Sequence, residues 1–327
     1  MIKRTFNEPQ PHNKLRLHSS ERNSTWGKVF DEFKNELSES DIKFYPNVNE
    51  LNESITKFYG GQNFLIGFGS DRCIKYFFEG NRAKNLIITN PCFPMYKVYG
   101  QMFNLNIIEV PYKTLEFPID EFIRKIKRNS IVVISNPSSP VGDIISESNL
   151  ERILELGLPT LIDEAYIEFS SENSFISKIE KYPNLYVIRT FSKALGSAGV
   201  RFGTIFSNKN NIEILSQYRD MYETSGLTLK WIKVLLKNLD VYENYVKEVK
   251  MNRQVLINSF IKLGYEVIPS NSNWIYIKDF KHLPKNTIFK NDCSLPELGN
   301  NWLRLQITDN LNDYICLLKS KEIVDID

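Results

Sequence analysis

Between residues 60 and 210, short apolar runs alternate with amphipathic stretches. The runs are NFLIGF (63–68), NLIIT (85–89), LNIIEV (105–110), SIVVIS (130–135), PTLID (159–163) and LYVIRT (185–190). They are largely unbroken and rich in Ile and Val, as expected of strands buried on both faces. Between several of them, DRCIKYFFEG, PIDEFIRKIKR and SESNLERILELG carry helical spacing. The alternation predicts an α/β fold, a mostly parallel sheet with helices on both faces. The stretch 228–263 has no Gly or Pro and an apolar period near 3.6, which predicts one long helix or two in succession. After Gly264 the pattern changes: YEVIPS, NWIYIKDF and NWLRLQIT read as strands and NDYICLLKSKE as a closing helix. The predicted organisation is an N-terminal arm (1–40) packing with a smaller α+β domain (241–327), and a large domain (41–240) between them.

Composition narrows the function without naming it. The chain has 327 residues, 42% hydrophobic and 24% charged, enough for one large and one small core. A net charge of +2 gives no electrostatic case for nucleic acid or a membrane surface as the main partner. Cys73, Cys92, Cys293 and Cys316 are too scattered for a CxxC pair or zinc knuckle. His12, His18 and His282 have no ligand spacing, so no metal is expected. The start lacks the apolar core of a signal peptide and no run approaches a bilayer span, so the expected location is cytoplasmic.

The chemistry sits where the strands end, as it does in open α/β sheets. After the first run come Gly67, Gly69, Ser70 and Asp71, a tight turn into a helix whose N-terminus suits a phosphate, with Ser70 as N-cap. Arg72 stands where the third glycine of a dinucleotide fingerprint belongs, which excludes NAD. After SIVVIS comes Asn136 in a rigid Pro-rich loop. After PTLI comes Asp163, a strand-end carboxylate that is paired or functional, with Tyr166 three residues on. After LYVIRT comes TFSKALGSAGVRFG: Ser192, then Lys193, then Arg201 eight residues later. A strand-end lysine in a partly dry pocket suits a Schiff base, and the arginine suits a phosphate. Gly196 and Gly199 allow the backbone close to a planar group. Each element alone is also an ordinary turn, salt bridge or surface charge. Their order on one sheet describes a pyridoxal-phosphate (PLP) site.

These motifs, together with NPCFPMY (90–96) and WLRLQIT (302–308), resemble the fold-type I PLP enzymes of the aminotransferase class I/II group, and within it the histidinol-phosphate aminotransferase branch. The resemblance runs from LHSSERN to NWLRLQIT. It implies Lys193 as the Schiff-base lysine and proton shuttle, Asp163 as partner of the pyridinium nitrogen, and Asn136 and Tyr166 as donors to the ring oxygen. It implies Phe93 stacked on the ring, and Ser70, Asp71, Ser192 and Arg201 around the phosphate. Tyr45, in FYPN, would reach the phosphate from the partner subunit of a homodimer with shared active sites. Arg304 would grip the substrate α-carboxylate.

The sequence departs from the family at Ser19-Ser20-Glu21-Arg22-Asn23, which brings a charge to the pocket border, and at Lys278, near where the branch places an arginine for the substrate phosphate. The stretch between Phe280 and Trp302 reads as trimmed. Arg22 and Lys278 would bind a distal anion, so the expected reaction moves an amino group from a donor such as glutamate to a small phosphorylated keto acceptor. The alternatives are a decarboxylase of a phosphorylated amino acid and a non-catalytic binding module. Intact Lys193, Asp163 and Arg201 argue against the last.

Overall fold

The buried runs pair as their continuity predicts. In this computed structural model residues 14–281, 284 and 286–319 are described. The strands are β1 (Leu15–Leu17), β2 (Phe64–Phe68), β3 (Asn85–Asn90), β4 (Asn106–Pro111), β5 (Ser130–Ser135), β6 (Thr160–Asp163), β7 (Leu185–Thr190), β8 (Phe202–Phe206), β9 (Val267–Ile268), β10 (Trp274–Lys278), β11 (Thr287–Leu295) and β12 (Gly299–Gln306). A seven-stranded sheet has the order β2-β8-β7-β6-β5-β3-β4. It is parallel except for β8, which runs antiparallel to both β2 and β7. β5, β6, β7 and β8 are buried along nearly their whole length, so both faces are covered.

A five-stranded sheet, β1-β11-β12-β10-β9, carries the second core. β11 lies inside the stretch that reads as trimmed, and it joins this sheet between β1 and β12. The N-terminal segment divides between the two sheets. Leu15–Leu17 adds a parallel edge strand to the small sheet. The helix Lys28–Glu36 instead packs on the helix Gly226–Lys237, with Trp26 edge-on to Trp231 at 5.0 Å. The Gly-free stretch falls in two helices, Gly226–Lys237 and Leu239–Lys262, which meet at Asn238. Buried residues of the first belong to the large-sheet core, and Tyr245, Val249, Leu256 and Phe260 of the second to the small-sheet core.

Candidate active site

A cavity of about 950 Å³ opens at the C-terminal ends of β5, β6 and β7, beside the first turn of the helix Gly69–Gly80. Its walls include Ser135, Asp163 and Thr190 from the strand ends, Ser70 and Asp71 from the helix start, and Phe93, Tyr96, Tyr166, Ser192, Lys193 and Arg201 from the loops. Arg16, His18, Ser19 and Glu21 of the N-terminal segment close one side.

Asp163 ends β6 fully buried, and among the described residues no cation forms a salt bridge with it. Burial pushes its carboxyl up to about 6, although Tyr96 and the Ala165 amide pull in the opposite direction. Tyr96 Oη donates to Oδ2 at 2.8 Å and Ala165 N donates to Oδ1 at 3.1 Å. The next residue, Glu164, serves structure: it accepts from Phe175 N at 2.7 Å and lies 3.4 Å from Arg189, which also pairs with Glu168 at 2.6 Å. The adjacent pair Asp163 and Glu164 thus contains one carboxylate with a buried arginine and one without.

Lys193 lies in the turns after β7, not in a helix. Its Nζ donates to Ser19 O at 2.7 Å and sits 5.5 Å from the centre of the Tyr166 ring. Burial pushes the Tyr166 phenol up, but Lys193 and Arg304 outweigh it and leave the phenol below its ordinary range.

Arg201 has left-handed backbone, φ 55°, and donates to Ser192 Oγ at 3.4 Å; its Nη2 is 3.6 Å from Asp71. Gly69 has φ +74°, and a Cβ there would come within 2.3 Å of Arg201 Nη2, so the arginine lies flat against a backbone that only glycine allows. The helix begins at Gly69 with Phe68 at the N-cap and no side-chain cap. Ser70 is therefore inside the first turn, which corrects the N-cap reading and leaves Ser70 and Asp71 beside Arg201 at an uncapped helix start. Gly196 is a second correction. A Cβ there would meet Arg22 Cδ at 2.7 Å, so its bareness accommodates Arg22; of the two glycines only Gly199 lines the cavity.

The remaining predicted residues lie outside the cavity lining. The Asn136 amide brackets the Ile145 peptide, accepting from its N at 2.9 Å and donating to its O at 3.4 Å, just behind Ser135. Arg304, buried on β12, donates to His18 O at 2.7 Å and lies 4.9 Å over the Trp274 ring. Tyr45 is 76% exposed and stacks on Tyr222 at 3.9 Å. Arg22 is sandwiched between Trp26 (4.1 Å) and Tyr245 (4.7 Å), 3.9 Å from Asp309. Lys278 donates to Leu298 O and Asn300 O, both at 3.2 Å, over the Trp302 ring. The structure does not bring Arg22 or Lys278 to the cavity. His12 and His282 lie outside the described residues, and the described ones hold no metal-ligating cluster.

Sequence reasoning missed Tyr96, Arg16 and His18. Tyr96 was visible as the last residue of NPCFPMY, but its bond to Asp163 spans 67 residues and leaves no local trace.

A strand-end lysine, an unpaired buried carboxylate and an arginine-lined helix start suit the aldehyde, ring nitrogen and phosphate of a PLP molecule. The sequence comparisons agree. The family model for aminotransferase class I and II matches residues 13–316, and the chain belongs to that family. It is a PLP-dependent transaminase of fold type I. Histidinol-phosphate aminotransferase from Thermococcus gammatolerans is 33% identical over 261 residues, covering 77% of this chain and 74% of that one. Histidinol-phosphate aminotransferase from Sinorhizobium meliloti, solved in complex with pyridoxal-5'-phosphate, matches with a TM-score of 0.81 over 95% of this chain and 90% of that one, at 18% identity. L-threonine-O-3-phosphate decarboxylase from Porphyromonas gingivalis matches with a TM-score of 0.80 over 96% and 100%, at 17% identity. At these identities the two structures show the shared fold alone, and one fold carries both reaction outcomes.

Proposed function

We propose that this transaminase takes the amino group of glutamate and delivers it to a small keto acceptor carrying a distal anion, most simply a phosphate. The observation that carries this is the placement of cations along the cavity. Lys193 and Arg201 stand by the strand ends, and Arg16 on the N-terminal segment that closes the cavity. Burial, with Arg16 beside it, holds the His18 imidazole below its ordinary range, which favours its neutral form, so the cation of that wall is Arg16, paired with Glu21 at 2.8 Å. Arg16 therefore replaces Arg22 and Lys278 as the candidate for the distal anion.

Bound PLP supplies the electron sink that acidifies the substrate Cα–H. The residues then divide the work. Arg201, Ser192 and the helix start hold the phosphate. Asp163 holds the ring nitrogen as its anionic partner, Phe93 flanks the ring, and Tyr166 and Asn136 serve its oxygen side. Lys193 provides the amine for the cofactor aldehyde and moves the proton at substrate Cα. Arg304 offers a guanidinium fork to the α-carboxylate, a two-bond geometry that a lysine lacks.

The active unit in this reading is a homodimer. Ile42, Phe44, Tyr45, Phe68, Met221 and Tyr222 are exposed large apolar residues, more than scattered surface positions need. Phe68 directly precedes Gly69, and Arg201 Cζ lies 5.8 Å over its ring, so this exposed ring borders the phosphate cradle. A second copy seated there would bring its Tyr45 to this edge. Four free cysteines suit a reducing, cytoplasmic setting.

The test is the half-reaction with glutamate alone. Conversion of the cofactor to its amine form, with release of 2-oxoglutarate, supports the reading. Release of carbon dioxide from a phosphorylated amino acid without that conversion would replace it with the decarboxylase outcome.

A further inference from the structure

The cavity wall formed by the N-terminal segment is held through its backbone. His18, Ser19 and Glu21 line the cavity, and the peptide groups of all four residues 18–21 are engaged. Arg304 donates to His18 O at 2.7 Å, and Lys193 donates to Ser19 O at 2.7 Å. Gln306 does the rest. Its Oε1 accepts from Ser20 N at 2.6 Å and its Nε2 donates to Glu21 O at 2.5 Å. Gln306 is 1% exposed, and Arg304 and Gln306 are two apart on β12, so they share a face of the strand. Ser20, itself buried, has φ 59°, a left-handed conformation uncommon for a residue with a side chain.

A planar amide is well suited to this task. It carries an acceptor and a donor side by side, matching the Ser20 N–H and the Glu21 carbonyl. A glutamate would lack the donor, a methionine both groups, and an asparagine the reach. Holding Glu21 also fixes its carboxylate, which pairs with Arg16 at 2.8 Å. We infer that Gln306 is a positioning residue for substrate recognition: it sets the geometry of residues 18–21 and, through Glu21, the place of the Arg16 guanidinium. The inference rests on the transaminase reading above for its kinetic readout.

Gln306→Met is the test, with Gln306→Asn as a milder partner that keeps the polar groups but is one methylene short. In Gln306→Met the cofactor absorption should stay as in the parent protein. KM for glutamate should rise roughly tenfold, about 1.4 kcal/mol, the scale of two lost neutral hydrogen bonds, and kcat should fall much less. Gln306→Asn should fall between. In the cofactor-free protein, hydrogen exchange at the Ser20 amide should accelerate in Gln306→Met. An unchanged KM, a loss confined to kcat, or a lower melting temperature with KM intact would overturn the inference. If the parent protein shows no half-reaction with glutamate, the functional reading fails on its own. Exchange at Ser20 then still decides whether Gln306 holds this wall, and unaltered exchange would sink the inference.

Discussion

Tyr96 Oη donates to Asp163 Oδ2 at 2.8 Å, between two side chains that are both buried at the floor of the cavity. The bond matters because burial alone drives the Asp163 carboxyl toward its neutral form, and the phenol favours the anion. Tyr96→Phe should therefore raise the Asp163 pKa further above about 6. Cofactor affinity requires the anion and should be level above that pKa and fall as pH drops through it. In Tyr96→Phe the fall should begin at higher pH. Binding titrations of both proteins across pH 5–8 check this, and superimposable curves would remove Tyr96 from the site.

The same carboxylate predicts a stability effect of opposite sign to its functional one. Its folded pKa, raised from 3.8 to about 6, means that the folded protein binds the proton more tightly than the unfolded chain. The stability of the cofactor-free protein should decline as pH rises from about 4 to 6 and stay reduced above, by at most roughly 3 kcal/mol from this group. Asp163→Asn removes the buried charge. Its cofactor-free form should melt no lower than the parent at pH 8, while its turnover falls at least tenfold. Lower melting at pH 8 would contradict the burial argument.

Lys193→Ala should abolish the absorption of the lysine-bound cofactor and cost on the order of 10²–10⁴-fold in turnover, the scale of a lost positioned acid–base group. The measurement is the absorption spectrum together with glutamate half-reaction rates. A spectrum like that of the parent protein would end the assignment of Lys193.

Tyr45 and Lys193 of one chain are expected to serve different active sites of the dimer. If so, mixing Lys193→Ala with Tyr45→Ala subunits restores one intact site in each mixed dimer, about a quarter of all sites at equal amounts. Recovery after co-refolding, measured against each variant alone, checks it. No recovery, or a monomer by sedimentation, would contradict the shared site.

Arg16 and Arg22 separate binding from structure. Arg22 is stacked between Trp26 and Tyr245, so Arg22→Ala should lower the melting temperature and leave acceptor preference unchanged. Arg16→Ala should reduce kcat/KM for phosphorylated acceptors roughly ten- to a hundredfold relative to unphosphorylated ones. Equal losses for both acceptor classes in Arg16→Ala would remove the distal-anion role.

Much of the fold was legible because continuous Ile/Val runs and helical spacing are local properties. β8 was not read as a strand, since FGTIF follows directly on the glycine-rich turn; its pairing with both β2 and β7 gives it its place. β11 was hidden by the polar sequence TIFKNDCSL, which gains strand form from β1 on one side and β12 on the other. Lys193, Asp163, Ser192 and Arg201 were legible from their positions at strand ends, where an α/β sheet gathers chemistry.

The sequence by itself determined six of the seven strands in the large sheet, where they end and which residues stand at those ends, because each depends on the pattern of a few neighbouring side chains. Only the tertiary structure decided which charges face the cavity. Arg16, Arg22 and Lys278 are all cations near the motifs in sequence, yet Arg16 lines the cavity, Arg22 is taken up by Trp26 and Tyr245, and Lys278 by the carbonyls of Leu298 and Asn300. A long cationic side chain goes to whichever partners its fold places within reach, and those partners lie up to hundreds of residues away: Tyr245 is remote from Arg22, as Gln306 is from Ser20.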